Sequence, residues 1–174
     1  MNAIYKRRSI RKYTDEKLTN EQIKQIIKAG MAAACCKASN EWIFIVMTDR
    51  EQFIRIKEAH EYATALDTAA AAILVCADLE KELAPGEGWW IQDCSAAIQN
   101  MLVEAADMGI GSLWMGMYPR EERVDFVREL CCIPDNVMPL GLVSLGYAEK
   151  PRRPIDRYIE EQVFDGKYGN NWGK

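Results

Sequence analysis

Histidine is nearly absent from the 174 residues: His60 is the only one. A catalytic Cys–His pair would have to use it, and a Cys–His zinc cluster has too few nitrogen ligands to draw on. The six cysteines, Cys35, Cys36, Cys76, Cys94, Cys131 and Cys132, contain no Cys-x-x-Cys, and four of them stand as two adjacent pairs. With no apolar secretory run near the start, reduced thiols are expected rather than three disulfides. Positive charge is not in excess. Lys and Arg total 22 against 26 Asp and Glu, for a net charge of −4, which leaves no broad basic surface for a long nucleic acid. No stretch reaches the ~20 continuous apolar residues that cross a bilayer. A Gly-Lys-Ser/Thr phosphate loop is missing, and the glycines from Gly109 to Gly116 follow a helical pattern instead of opening one, so they are no dinucleotide fingerprint. The expectation is a cytoplasmic protein with no metal site and no nucleic-acid or membrane partner.

What is present is a globular composition, 49% apolar and 28% charged, enough for one domain with a sizeable core. Thr19 followed by Gln22 reads as a capping box, and Ile23, Ile26 and Ile27 form the apolar stripe of the helix it opens, with Gly30 expected to weaken or bend its far end. Trp42 to Met47 reads as a buried strand. Asp49 and Gln52 are placed to cap a helix carrying Phe53, Ile56 and Ala59, with His60 on its surface beside Glu58 and Glu61. Ala72 to Cys76 is a second strand with an Ala-rich approach that blurs its boundary. The clearest helix runs from about Ile91 to Met108, and Gly109 stops it. A short strand follows to Gly116, then a helix with Pro119 in its first turn and Val124, Val127 and Leu130 inward, then a strand within Val137 to Tyr147. Alternating strands and helices give an α/β or α+β sandwich. The tail from about 151 to 174 is basic and Pro-rich, then polar and aromatic, and reads as an arm of a single domain, 1–174.

Three clusters carry chemistry. In Arg7-Arg8-Ser9-Ile10-Arg11-Lys12-Tyr13, alternation sets Arg7, Ser9 and Arg11 on one side of an extended segment. That is either a phosphate or ribityl clamp, since guanidinium is a rigid fork of donors, or a solvated basic segment. Gly109 to Gly116 is either a tight helix-to-strand turn or a place where backbone approaches a planar ligand. Pro151-Arg152-Arg153-Pro154-Ile155-Asp156-Arg157-Tyr158 is either a solvated tail or the completion of an anion site.

Taken in order, these clusters resemble the FMN-dependent nitroreductase family over nearly the whole chain. The opening Arg7 to Tyr13 is similar to its N-terminal signature, Gln92 to Trp114 to its central helix and glycine turn, and Leu140 to Tyr147 with the following Pro/Arg segment to its last core strand and basic loop. The resemblance implies an α+β fold, a three-layer α/β/α sandwich with a mainly antiparallel sheet. It implies one FMN per subunit, a homodimer with FMN at the interface to which both termini contribute, and NADH or NADPH as donor. The implied reaction is ping-pong reduction of a nitroaromatic or quinone-like acceptor, with no side chain needed as nucleophile or general acid. The alternatives are another flavin reaction on the same scaffold or a non-enzymatic flavin or electron carrier. Arg7, Arg8, Ser9 and Arg11 match positions that hold the FMN phosphate, ribityl chain and pyrimidine edge, with Arg11 near N1 and O2. Arg157 matches a phosphate-binding residue, and Gly116 with Met117 matches the strand end beside flavin N5. Trp114 is read as packing. The pattern breaks at Ala38-Ser39-Asn40-Glu41, where Asn40 falls at a Gln position and is expected to reach a pyrimidine carbonyl, and Glu41 replaces a Pro and is expected to disfavour anionic substrates.

Overall fold

The longest strand, β4 (Val137–Gly146), lies between β2 (Ala71–Asp78) and β3 (Gly111–Gly116), and β1 (Trp42–Met47) flanks β2 on its other side. The order is β1-β2-β4-β3 and every neighbouring pair is antiparallel in this computed structural model, which describes residues 2–83 and 86–173. Met1, Ala84, Pro85 and Lys174 of the expected domain lie outside those residues. Helices cover both faces. Beneath α2 (Asn20–Met31) and α4 (Trp89–Asp107) lie Ala71, Ile73, Val75 and Ala77; Ala72, Leu74 and Cys76 face the layer of α3 (Arg50–Ala59) and α5 (Glu121–Cys131). Both faces of β2 are therefore apolar, so the strand reads as a continuous run without polar alternation. This is the expected three-layer sandwich.

Local chemistry sets the ends of these elements. The Thr19–Gln22 capping box is formed in both directions, and Asp49 caps α3 through the Glu51 N–H. α2 runs unbroken through Gly30. A Cβ there would sit 2.9 Å from Met101 Cγ of α4 and 3.2 Å from Phe44 Cε1, so the glycine is what allows α2 to lie against α4. Pro119 stands outside α5, which begins at Glu121 with Arg120 as N-cap; the helix start is set two residues later than the proline suggests. Ala97 of α4 is used up in the chain's own core, whereas Ala96, Val103 and Ala106 stay half-exposed.

The short helix α1 (Ala3–Lys6) packs on α4. After it, the chain runs alongside the start of β3: Ser9 bridges Ser112 and the Ile10 N–H donates to the Ser112 carbonyl at 2.9 Å. It then crosses the end of β4, where Tyr13 is buried with its ring against Gly146. The Tyr13 hydroxyl donates to the Ile10 carbonyl at 2.9 Å and shares a hydrogen bond with Ser144 Oγ at 2.8 Å. Burial pushes its pKa up to about 12, so it stays a neutral donor. Tyr13 is thus the peg that fixes the arginine-bearing segment to the sheet.

Candidate functional site

The peg at Tyr13 places Arg7, Arg8, Ser9 and Arg11 along the free edge of β3. Arg7 is only partly exposed; burial first, then the charges of Arg157 and Arg8, push its guanidinium down from the usual value. Arg8 Nη1 donates to the Arg153 carbonyl. The first and third sequence clusters therefore meet, as Arg7, Arg8, Arg153 and Arg157, from positions about 145 residues apart. Among the described residues, none of these four arginines has a carboxylate within ion-pair distance. Like charges gathered without a counter-charge repel one another, an arrangement that an anion would stabilise.

Farther along β3, Arg11 lines a cleft of about 380 Å³ with His60, Tyr62, Trp114, Gly116 and Arg123. Gly116 ends the strand, and a Cβ built on it would find its nearest neighbour only at 4.0 Å, so its backbone is open to an approaching ring. From Ser112 to Gly116 the strand advances roughly 13 Å at about 3.3 Å per residue, which suits an elongated ligand held by an anion at one end and a ring at the other. Met117 is different: its side chain is in the core and its N–H donates to the Leu140 carbonyl at 3.1 Å, so it anchors Gly116 from within. Trp114 lies across Gly141, whose Cβ would fall 2.3 Å from the indole nitrogen; it packs as expected, with one side still open.

His60 departs from the surface position expected of it. It caps the C-terminus of α3, is 3% exposed, and its Nε2 donates to the Gly116 carbonyl at 3.1 Å. Its flanking glutamates suggested solvent; its burying partner is 56 residues away and leaves no local trace.

Asn40 is not near this cleft. Trp42 pairs with Ala77, Ala77 with Met138, and Gly116 with Gly141, so Asn40 sits at the same end of the sheet as Gly116 but at the opposite edge. Three strand spacings of about 4.8 Å put them roughly 14 Å apart across the sheet, and the offset of Met138 from Gly141 along β4 adds to that. The loop itself is tightly wound: Lys37, Ala38 and Asn40 all have φ near +50° (49°, 56° and 49°), a region that costs non-glycine residues about 1–2 kcal/mol each. Asn40 Nδ2 donates to the Ala38 carbonyl at 2.8 Å. Glu41 is turned inward. It is 1% exposed, accepts from Ser39 Oγ and lies beside Asp93 of α4, which accepts from the Cys36 N–H at 2.7 Å. Burial pushes the Asp93 carboxyl up from its ordinary value; the Cys36 N–H opposes this, and Glu41 and Glu82 add to it. The Cys36 N–H bond to Asp93 ties the loop to α4, with Glu41 buried beside it. No local signal marked it, because Asp93 lies 52 positions further on.

A larger cleft of about 620 Å³ lies at the other end of the sheet, between Thr14–Leu18 and Arg50. Arg50 already donates to the Leu66 and Ala69 carbonyls at 3.1 and 3.2 Å, and Asp15, Glu16 and Asp67 line the wall. It does not suit an anion. All six cysteines are free thiols, no cluster of metal-ligating side chains occurs among the described residues, and none of the described helices is long and apolar enough to cross a membrane.

A model of the nitroreductase family matches residues 4–61 and 55–147 of the chain. A protein of Archaeoglobus fulgidus provisionally named NADH dehydrogenase/NAD(P)H nitroreductase is 44% identical over 165 residues, covering 95% of this chain and 92% of that one. A crystal structure from Parabacteroides distasonis with the same provisional name is 36% identical, with a TM-score of 0.90 over 95% of this chain and 96% of that one. An FMN-dependent nitroreductase of Clostridium difficile is 27% identical, with a TM-score of 0.87 over 96% and 99%.

Proposed function

The chain belongs to the nitroreductase family, and from that premise we propose that it is an FMN-dependent oxidoreductase that takes hydride from NADH or NADPH and reduces small nitroaromatic or quinone-like acceptors, in the cytoplasm. The oxidoreductase class and the FMN cofactor follow from the family; the acceptors, the ping-pong order and the residue roles are the proposal. The observation that carries it is the cluster Arg7, Arg8, Arg153 and Arg157, uncompensated in an otherwise acidic protein. Arg7, Arg8 and Arg157 hold the FMN phosphate, Ser9 the ribityl chain, and Arg11 the pyrimidine edge, where a cation favours the charge of the reduced ring. Gly116 offers open backbone beside the ring, with Met117 fixing it from the core. When bound, FMN supplies the hydride-accepting ring that nicotinamide reduces and the acceptor then reoxidises; the protein's part is to bind, orient and tune.

The separation of Asn40 from Gly116 supports a particular subunit arrangement. In this reading Asn40 serves a flavin held by another copy, in a single-domain homodimer with FMN at the interface. The arm fits this. Residues 151–162 are exposed, Ile155, Tyr158, Ile159, Tyr168 and Trp172 present apolar surface, and the tip closes on itself through the Phe164–Asn171 bridge. An arm with this little to pack against on its own chain is placed to clasp a partner. Light scattering of the flavin-bound protein is expected to give twice the 19.8 kDa chain mass, with FMN as the ligand released by heat. A monomer at micromolar concentration, or released FAD, would refute the arrangement.

A further inference from the structure

We propose that His60 and Arg123 are positioning residues that occupy the Gly116 carbonyl and keep it from bonding the flavin. The proposal rests on the reading above, in which Gly116 lies beside the ring. A carbonyl oxygen has two lone pairs, and here both have donors: His60 Nε2 at 3.1 Å and Arg123 Nη1 at 3.3 Å. The other ring nitrogen of His60, Nδ1, accepts the Tyr62 N–H at 3.3 Å, so the neutral ring carries its proton on Nε2. Burial, and then the Arg123 charge, hold the imidazole below its ordinary value of 6.5 and keep it neutral at pH 7. The N–H of the same peptide, from Met117, is taken by the Leu140 carbonyl at 3.1 Å. The Gly116–Met117 peptide is therefore gripped at both ends, although Gly116 has no side chain of its own to resist rotation.

The chemistry of the ring makes this grip matter. Oxidised flavin N5 is a hydrogen-bond acceptor, whereas reduced N5–H is a donor. A Gly116 carbonyl free to turn would bind the reduced form selectively and raise the potential. With its lone pairs occupied it does not, and the reduced ring keeps its tendency to pass hydride on. His60 and Arg123 thus act through Gly116, from the cleft that Arg11 also lines.

The test uses the whole protein and exploits its single histidine, whose imidazole resonances need no assignment by mutation. In the protein before FMN is added, the ¹⁵N shifts are expected to report a neutral ring protonated on Nε2 at pH 7; protonation on Nδ1 would overturn the proposal. FMN is then titrated into wild type, His60→Ala, His60→Gln and Arg123→Met, and both the dissociation constant of oxidised FMN and the midpoint potential are measured. His60→Ala is expected to raise the ratio of reduced to oxidised FMN affinity about tenfold, a positive shift of about 30 mV for a two-electron couple. His60→Gln, whose amide still donates, is expected to return most of the way to wild type. Arg123→Met, on a helix surface, is expected to shift the potential in the same direction and serves if His60→Ala does not fold. Bound FMN with wild-type potential in His60→Ala, or in Arg123→Met where it alone folds, overturns the positioning role alone. A wild-type protein that takes no FMN overturns the functional reading and this role with it.

Discussion

Replacing Arg7 by alanine is expected to weaken FMN binding roughly 10- to 150-fold while leaving the flavin-free protein as stable as before, or slightly more so. A hydrogen bond to a charged group contributes about 1.5–3 kcal/mol, and each 1.4 kcal/mol is about a factor of ten in affinity. The second half of the expectation separates binding from structure. Arg7 sits against Arg157 and Arg8, whose charges both oppose its own, so its removal relieves repulsion in the empty site. An arginine serving only the fold would show the reverse, a lower melting temperature and unchanged flavin affinity. Arg7→Ala/Arg157→Ala is expected to lose measurable FMN binding, with the two effects non-additive because both groups meet one phosphate. Isothermal titration with FMN, beside thermal melts with and without it, reads both halves. Unchanged affinity in the double variant would remove the cluster from the site.

Gly146→Val is expected to damage both the fold and the site. A Cβ at Gly146 would lie 2.8–2.9 Å from Tyr13 Cγ, Cβ and Cδ1, closer than any packed carbon, and valine adds two methyl groups beyond it. Overpacking of this kind costs about 1–3 kcal/mol, which for a chain of this length lowers the melting temperature by roughly 2–4 °C per kcal/mol. The displaced ring is Tyr13, whose hydroxyl ties Ile10 to Ser144, so the arginine segment comes away from β3 and FMN affinity falls with it. Tyr13→Phe keeps the ring and loses the hydroxyl bonds, and is expected to do less harm on both counts. Melting curves and FMN titrations of the two variants decide it. Gly146→Val with wild-type affinity would mean that the segment is held by something other than Tyr13.

The fold was legible wherever a signal was local. The Thr19–Gln22 box, the apolar run Trp42–Met47 and the helical stripe through Ile98 and Met101 each act within a turn or a strand, and each forms where expected. Chemistry set by distant partners was not legible. His60 reads as a surface residue between Glu58 and Glu61 until Gly116 is folded onto it. Glu41 reads as a substrate-facing charge until Asp93 meets it from α4. Gly30 reads as a weak point in a helix until Met101 is placed against it. The arginine clusters lay between these cases. Their residues were visible and their convergence was not, since nothing in a run of arginines says whether a second run 145 positions away will share its neighbourhood.

Anaerobic mixing of the FMN-loaded protein with NADH or NADPH, followed by absorbance, tests the function most directly. Bleaching of the oxidised flavin by at least one nicotinamide is expected, and a subsequent pulse of a nitroaromatic or a quinone is expected to restore the colour after the oxidised nicotinamide has been removed. Bound flavin that neither nicotinamide bleaches would contradict the assignment of a nicotinamide-driven reductase.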